Sequence, residues 1–186
     1  MDERLNRSDI RSDPSDGSIR PGMPLQLIIN VSRIAPGACM PFKGALVDVW
    51  QCDATGTYSD VGDMNGLFST EGRKFLRGYQ VTDAGGKTEF MTIYPGWYPG
   101  RTVHIHFKIR TDVAAGRAHS FTSQLYFDDV FTDRIHAQPP YAANGRRDMR
   151  NEDDMIFLDG GDQLMLKPIK KEPGYAAVFD VGVKID

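Results

Sequence analysis

Two histidines one residue apart carry the first chemical signal, in the run Arg101-Thr102-Val103-His104-Ile105-His106-Phe107. Side chains alternate across a strand, so a period of two puts His104 and His106 on one face, within reach of a single metal ion. The pair alone leaves several readings open: strand histidines can line a polar cleft, and zinc, copper and iron all accept imidazole. Immediately upstream lies an aromatic turn punctuated by Gly and Pro, Tyr94-Pro95-Gly96-Trp97-Tyr98-Pro99-Gly100. A second segment, Val49 to Ser59, runs from an apolar strand into a Gly turn that presents Tyr58. A tyrosine after a turn is often no more than a half-buried amphipathic ring. Ferric iron, however, is a hard Lewis acid that favours anionic oxygen, and coordination can ionise a phenol whose free pKa is about 10. Tyr58, Tyr98, His104 and His106 would together make a chemically sensible ferric site.

Short β-branched or alternating runs supply the elements that must position these residues: Leu25–Val31, Gly44–Trp50, Gly78–Thr82, Thr88–Ile93, Val103–Ile109, Ser123–Phe127, Met155–Leu158, Gln163–Pro168 and Ala176–Val183. Turn signals separate them, at Pro36-Gly37, Asp83 to Gly86, Pro95-Gly96, Pro99-Gly100 and Asp159 to Gly161. The pattern predicts an all-β fold, a β-sandwich of about eight mainly antiparallel strands with long connecting loops. One short helical turn is expected near Asp128–His136. Gln138–Asp154 reads as a long surface loop whose Arg146-Arg147 pair is solvated rather than anion-binding. Residues 1–18 are expected to form an N-terminal arm, and residues 19–186 the sandwich domain.

With 186 residues, 40% of them hydrophobic, the chain suits one core. A net charge of −3 with scattered Lys and Arg excludes the basic footprint of a nucleic-acid binder. The longest apolar stretches, such as Leu25–Ile29, fall far short of a bilayer span of about 20 residues, so no membrane partner is expected. Met1 to Asp16 is polar, without the apolar segment of a secretory leader. The expected location is cytoplasmic, or secreted or periplasmic if a leader has been trimmed. Cys39 and Cys52 either form a bridge, which implies an oxidising compartment, or remain two reduced thiols.

The quoted segments, with Phe75 to Asp83 and Ser123 to Phe127, resemble the intradiol ring-cleavage dioxygenase family, which includes catechol 1,2-dioxygenase and protocatechuate 3,4-dioxygenase. The likeness runs over residues 7–165, with Gly-x-Tyr-Ser, Pro-Gly-x-Tyr and Arg-x-x-His-x-His in that order. The resemblance implies Fe(3+) held by Tyr58, Tyr98, His104 and His106, with Tyr98 the axial ligand that leaves when substrate chelates. It implies that Arg101 stabilises negative charge on the bound substrate and that Gln124 hydrogen-bonds within the pocket, while Tyr94 forms pocket wall. The implied partners are a small aromatic ortho-diol and O2, and the implied products cis,cis-muconic acid derivatives, with a monomer or homo-oligomer as the assembly. A short spacer between Tyr98 and His104 points to the compact single-domain branch, whose members often carry secretion leaders and a cysteine near the position of Cys52. Two alternatives from other classes are a non-catalytic β-sandwich binding module and a zinc or copper enzyme built on the histidine pair.

Overall fold

The computed structural model describes residues 3–62, 69–111 and 119–184. Its longest strand, β1 (Pro24–Ala35), buries every second side chain: Leu25, Leu27, Ile29 and Val31 point inward and are almost fully enclosed. That alternation is what a strand needs to cover one face of a core. The turn at Pro36-Gly37, with Gly37 at φ 75°, returns the chain as β2 (Ala38–Pro41), which is exposed and pairs only with the end of β1. Then follow β3 (Leu46–Trp50), β4 (Arg77–Val81), β5 (Lys87–Ile93), β6 (His104–Thr111), β7 (His119–Tyr126), β8 (Ile169–Lys171) and β9 (Gly174–Lys184).

The strands form two sheets. One runs β2-β1-β9-β8, with β5 also on β1 and the β1–β9 pairing parallel; the other runs β4-β3-β6-β7 and is antiparallel throughout. Between them Leu27, Phe90, Val47, Val49, Ile105, Phe107 and Leu125 make the core. The N-terminal segment packs on β4: Ile10 is fully buried against Gly78, and the Arg7 guanidinium donates to the carbonyl oxygens of Ser12, Lys74 and Arg77 at 2.6–2.7 Å. No helix among the described residues is long and apolar enough to cross a membrane.

The all-β sandwich expected from the sequence is therefore present, with nine strands among the described residues, and the expected helical turn is α1 (Asp129–His136). Two predicted strands are absent. Met155–Leu158 is instead a single helical turn, α2, because the Asp154 carboxylate accepts from the amides of Ile156 and Phe157 and caps it. A four-residue apolar run cannot by itself distinguish the two states. Gln163–Pro168 overlaps a 3₁₀ turn (Gly161–Leu164), and only Met165 makes a bridge, to Tyr126. The stretch Gln138–Asp154 is not all surface loop. It contains 3₁₀ turns at Tyr141–Asn144 and Asn151–Asp153, and Tyr141, Asn151 and Asp154 are buried. Nor is Arg147 solvated: its side chain is 5% exposed and pairs with Asp129 and Asp133, while Arg146 is exposed.

Candidate active site

Strand β6 turns Ile105, Phe107 and Ile109 into the core, so His104 and His106 share the opposite face. Register then assembles a row across the sheet. His106 sits opposite Trp50 on β3 and Gln124 on β7, and Trp50 opposite Arg77 on β4; one step along, His104 faces Tyr126. His106 stacks on Trp50, and Tyr126 lies at a tilt to His104.

The two tyrosines come from turns that interlock above this row. Asp53 closes the turn before Tyr58: its Oδ1 accepts from the Thr55 amide (3.0 Å), the Thr55 hydroxyl (2.8 Å) and the Thr57 amide (3.1 Å). The Asp53 carbonyl accepts from the amides of both Gly56 (3.0 Å) and Gly96 (3.2 Å), so one residue ties the Tyr58 turn to the Tyr98 turn. Both glycines are required by close approach. A Cβ on Gly56, which has φ +84°, would overlap the Trp97 carbonyl oxygen, and one on Gly96 would overlap that of Asp53.

Four donor atoms converge as a result. His104 Nε2 lies 3.1 Å from His106 Nε2, 3.3 Å from Tyr98 Oη and 3.4 Å from Tyr58 Oη, and the two phenol rings meet edge-on. His104 Nδ1 is 2.7 Å from the Thr102 carbonyl, which can only accept, so Nδ1 carries the proton and the Nε2 lone pair points into the cluster. Burial holds the His104 imidazole down to about 4 and the His106 imidazole, with the charges of His104, Arg101 and Arg77 adding to burial, down to about 3. Both rings are therefore neutral at neutral pH. Burial pushes both phenols the other way, Tyr58 far above the ordinary tyrosine value. Among the described residues no three His, Cys, Asp or Glu side chains gather; the metal-binding chemistry on offer is two imidazoles and two phenols.

Beside the cluster, Arg101 is held from two directions. Its Nε donates to Asp154 Oδ2 at 2.9 Å and its Nη2 to Gln124 Oε1 at 2.6 Å, where the Tyr126 hydroxyl also donates at 2.9 Å. Burial would raise the Asp154 carboxyl, but hydrogen bonds from the Thr102 and Ile156 amides and from Arg101 hold it below its ordinary value. An open cavity of about 230 Å³ adjoins His106, lined also by Gln124, Tyr126, Ile156, Asp159 and Leu164.

A family model described as Dioxygenase matches residues 8–158. The chain is 32% identical over 146 residues to the protocatechuate 3,4-dioxygenase beta chain of Burkholderia cepacia, which covers 72% of this chain and 60% of that one. The chain belongs to the intradiol ring-cleavage dioxygenase family. Among solved structures, the intradiol ring-cleavage dioxygenase from Tetranychus urticae superposes with a TM-score of 0.80 at 30% identity, over 99% of this chain and 89% of that one. The dioxygenase domain of a dioxygenase carbohydrate-binding protein fusion from Streptomyces sp. SirexAA-E gives 0.64 at 30% identity, over 97% and 89%. Against the bacterial protocatechuate chain, by contrast, this family member spans 60% of the relative's length.

All six residues singled out from the sequence, Tyr58, Tyr98, Arg101, His104, His106 and Gln124, lie in this one neighbourhood. Tyr94 does not: it is fully buried in the core, bonded to the Thr132 hydroxyl at 2.7 Å and packed on Phe127, so it is core rather than pocket wall. Cys39 is exposed and Cys52 buried, and both are free thiols, so no bridge joins them. Trp50, Tyr126 and Asp154 escaped the sequence reading. Cross-strand pairing from His106 would have pointed to Trp50, and an Asp directly before Met155-Ile156-Phe157-Leu158 is an N-cap signal for Asp154.

Proposed function

We propose that this chain is a non-haem iron(III) dioxygenase that opens a catechol-type ring between its two hydroxylated carbons, with O2 as co-substrate and cis,cis-muconic acid derivatives as products. One observation carries the reading: His106 Nε2 and both phenol oxygens lie within 3.1–3.4 Å of His104 Nε2, in a part-buried cluster. The donor set fits a ferric ion. Two neutral imidazoles offer lone pairs, and two buried phenols ionise readily only beside a strongly charged cation, so the set favours a hard trivalent ion over zinc or copper.

Tyr58, Tyr98, His104 and His106 would hold that ion, which supplies Lewis acidity toward both oxygens of an ortho-diol and activates its ring toward O2. The remaining work falls to the protein. Tyr98 Oη is the group to take up a proton as the diol arrives, since a chelating catechol must lose two. Arg101 would offset negative charge on the substrate, an effect on the order of a few kcal/mol for one well-placed donor in a site shielded from water. Gln124, whose carbonyl oxygen accepts from both Arg101 and Tyr126, would hold that guanidinium in place beside the cluster. Trp50 covers one face of the His106 ring.

Metal analysis and turnover test this directly. The purified protein is expected to hold about one iron per chain, absorb broadly in the visible through tyrosinate-to-iron charge transfer, and convert catechols and O2 to muconates while leaving simple phenols intact. Stoichiometric zinc without iron, or a yellow extradiol semialdehyde as product, would overturn it.

A further inference from the structure

We propose that Asp154 is a positioning residue for this site: it sets the direction of the Arg101 guanidinium and couples it to helix α2, a wall of the adjoining cavity. The inference rests on the dioxygenase reading above and adds to it a residue that the sequence marks only as a helix cap. Each Asp154 oxygen serves one side of the junction. Oδ2 accepts from Arg101 Nε and from the Thr102 amide, both at 2.9 Å; Oδ1 accepts from the Ile156 amide at 2.8 Å and the Phe157 amide at 3.3 Å. The side chain is 2% exposed, so water competes little for these bonds.

Arginine's long stem otherwise leaves its fork free to sample many rotamers, and ordering it costs entropy. Holding Nε on a buried carboxylate removes most of that freedom and aims the far edge of the fork at Gln124 Oε1. Thr102, held by the same oxygen, is the residue whose carbonyl faces His104 Nδ1, so the carboxylate also steadies the start of β6. On its other side α2 presents Ile156 to the cavity and packs Phe157 edge-on against Tyr126, ring centroids 5.0 Å apart. A substrate pressing on α2 is therefore linked to Arg101 through one side chain.

Two substitutions separate this role from helix capping. Asp154→Ser keeps a capping oxygen but is too short to reach Arg101, and Asp154→Asn keeps the shape but loses the charge. Each is made in the wild-type and Arg101→Ala backgrounds. Expected in the wild-type background are unchanged iron content, substrate affinity weakened by about tenfold in anaerobic visible titrations with catechol, and a lower kcat. In the Arg101→Ala background neither substitution should weaken binding further. In the metal-free protein the Arg101 Nε–H resonance should exchange slowly with solvent, and this protection should vanish in both variants. Equal losses in the two backgrounds, wild-type binding with a protected Nε–H missing from the start, or failure of both variants to fold would make Asp154 a structural residue of the fold and not a positioning residue for Arg101. A wild-type protein that takes up iron but binds no catechol would instead remove the dioxygenase reading, and this inference with it.

Discussion

The imidazole of His106 lies flat on the indole of Trp50, ring centroids 4.8 Å apart and planes within 1° of parallel. The two are register partners on adjacent antiparallel strands, so the stack follows from the pairing of β3 with β6. It fixes the plane of the His106 ring, and in that plane Nε2 lies 3.1 Å from His104 Nε2. Trp50→Ala is expected to lower the iron retained after dialysis against a chelator several-fold, while Trp50→Phe keeps most of it. Far-ultraviolet circular dichroism should match for all three proteins. Equal iron retention in Trp50→Ala would mean that the indole does not orient the ligand.

The two phenols should differ in consequence. Tyr58→Phe removes one anionic ligand of the proposed ion, and both iron content and colour should fall sharply. Tyr98→Phe should keep part of the iron, because substrate would displace that ligand, yet kcat should drop with the loss of the proton-accepting oxygen. Iron assay, visible spectrum and kcat on the same preparations read the contrast. Full activity and an unchanged spectrum in Tyr98→Phe would remove it from the ligand set. Tyr94 would not replace it, since its hydroxyl is enclosed in the core against Thr132.

What the sequence made legible is what depends on period and local turns. His104 and His106 face together because strands alternate, and Tyr58 and Tyr98 were marked by the Gly turns that carry them. The misreadings have two sources. Met155–Leu158 is helical because the adjacent Asp154 caps it, a local signal that outweighs the strand-like composition of the run, whereas Arg147 is enclosed because tertiary partners, Asp129 and Asp133 on α1, reach it. Tyr94 and Tyr98 sit four residues apart in one aromatic turn, and only their surroundings separate core from site. Arg101 was visible as a motif residue, but its partner Asp154 lies 53 positions away, a distance no local pattern spans.

Charge in the cavity bears on substrate choice. Asp159 contributes to its lining, no Lys or Arg among the described residues does, and the Arg101 guanidinium is already engaged by Asp154 and Gln124. Catechols with neutral substituents should therefore show higher kcat/KM than catechols bearing a ring carboxylate. Asp159→Lys should narrow or reverse that ratio, and the shift should shrink as salt screens the charge. A ratio that Asp159→Lys leaves untouched would show that the carboxylate does not select.

Asp13 gives an acid-sensitive contribution to stability. It is fully buried. Burial would raise it, but hydrogen bonds from Ser15 and the Lys74 amide and the nearby Arg73 charge outweigh that and hold it at about 2. A carboxyl whose folded pKa is depressed stabilises the fold above its unfolded value and loses that contribution as pH falls through the folded value. Wild type should therefore be more stable than Asp13→Asn at pH 6, with the gap closing from about pH 4 to about pH 2. Denaturant midpoints at a series of pH values give the comparison, and a gap independent of pH would exclude the ionised carboxylate as its source.

The interlock of the two tyrosine turns is open to a selective test. A Cβ on Gly96 would overlap the carbonyl oxygen of Asp53 and lie 2.6 Å from that of Ala54, both in the turn that carries Tyr58. Relief requires the turns to part, which moves Tyr98 away from Tyr58 and His104. Gly100 is the internal control: it has φ +82°, but a Cβ there would meet nothing within 4 Å, so Gly100→Ala adds backbone strain without contact. That strain should cost about 1 kcal/mol of stability and leave iron binding intact. Gly96→Ala should lose iron and visible absorbance out of proportion to its loss of stability. Thermal midpoints set beside iron content for the two variants decide the matter. If both lose iron in step with stability, the approach of the turns contributes only to folding; if Gly96→Ala alone loses it, the contact through Asp53 is what holds the two phenols at one site.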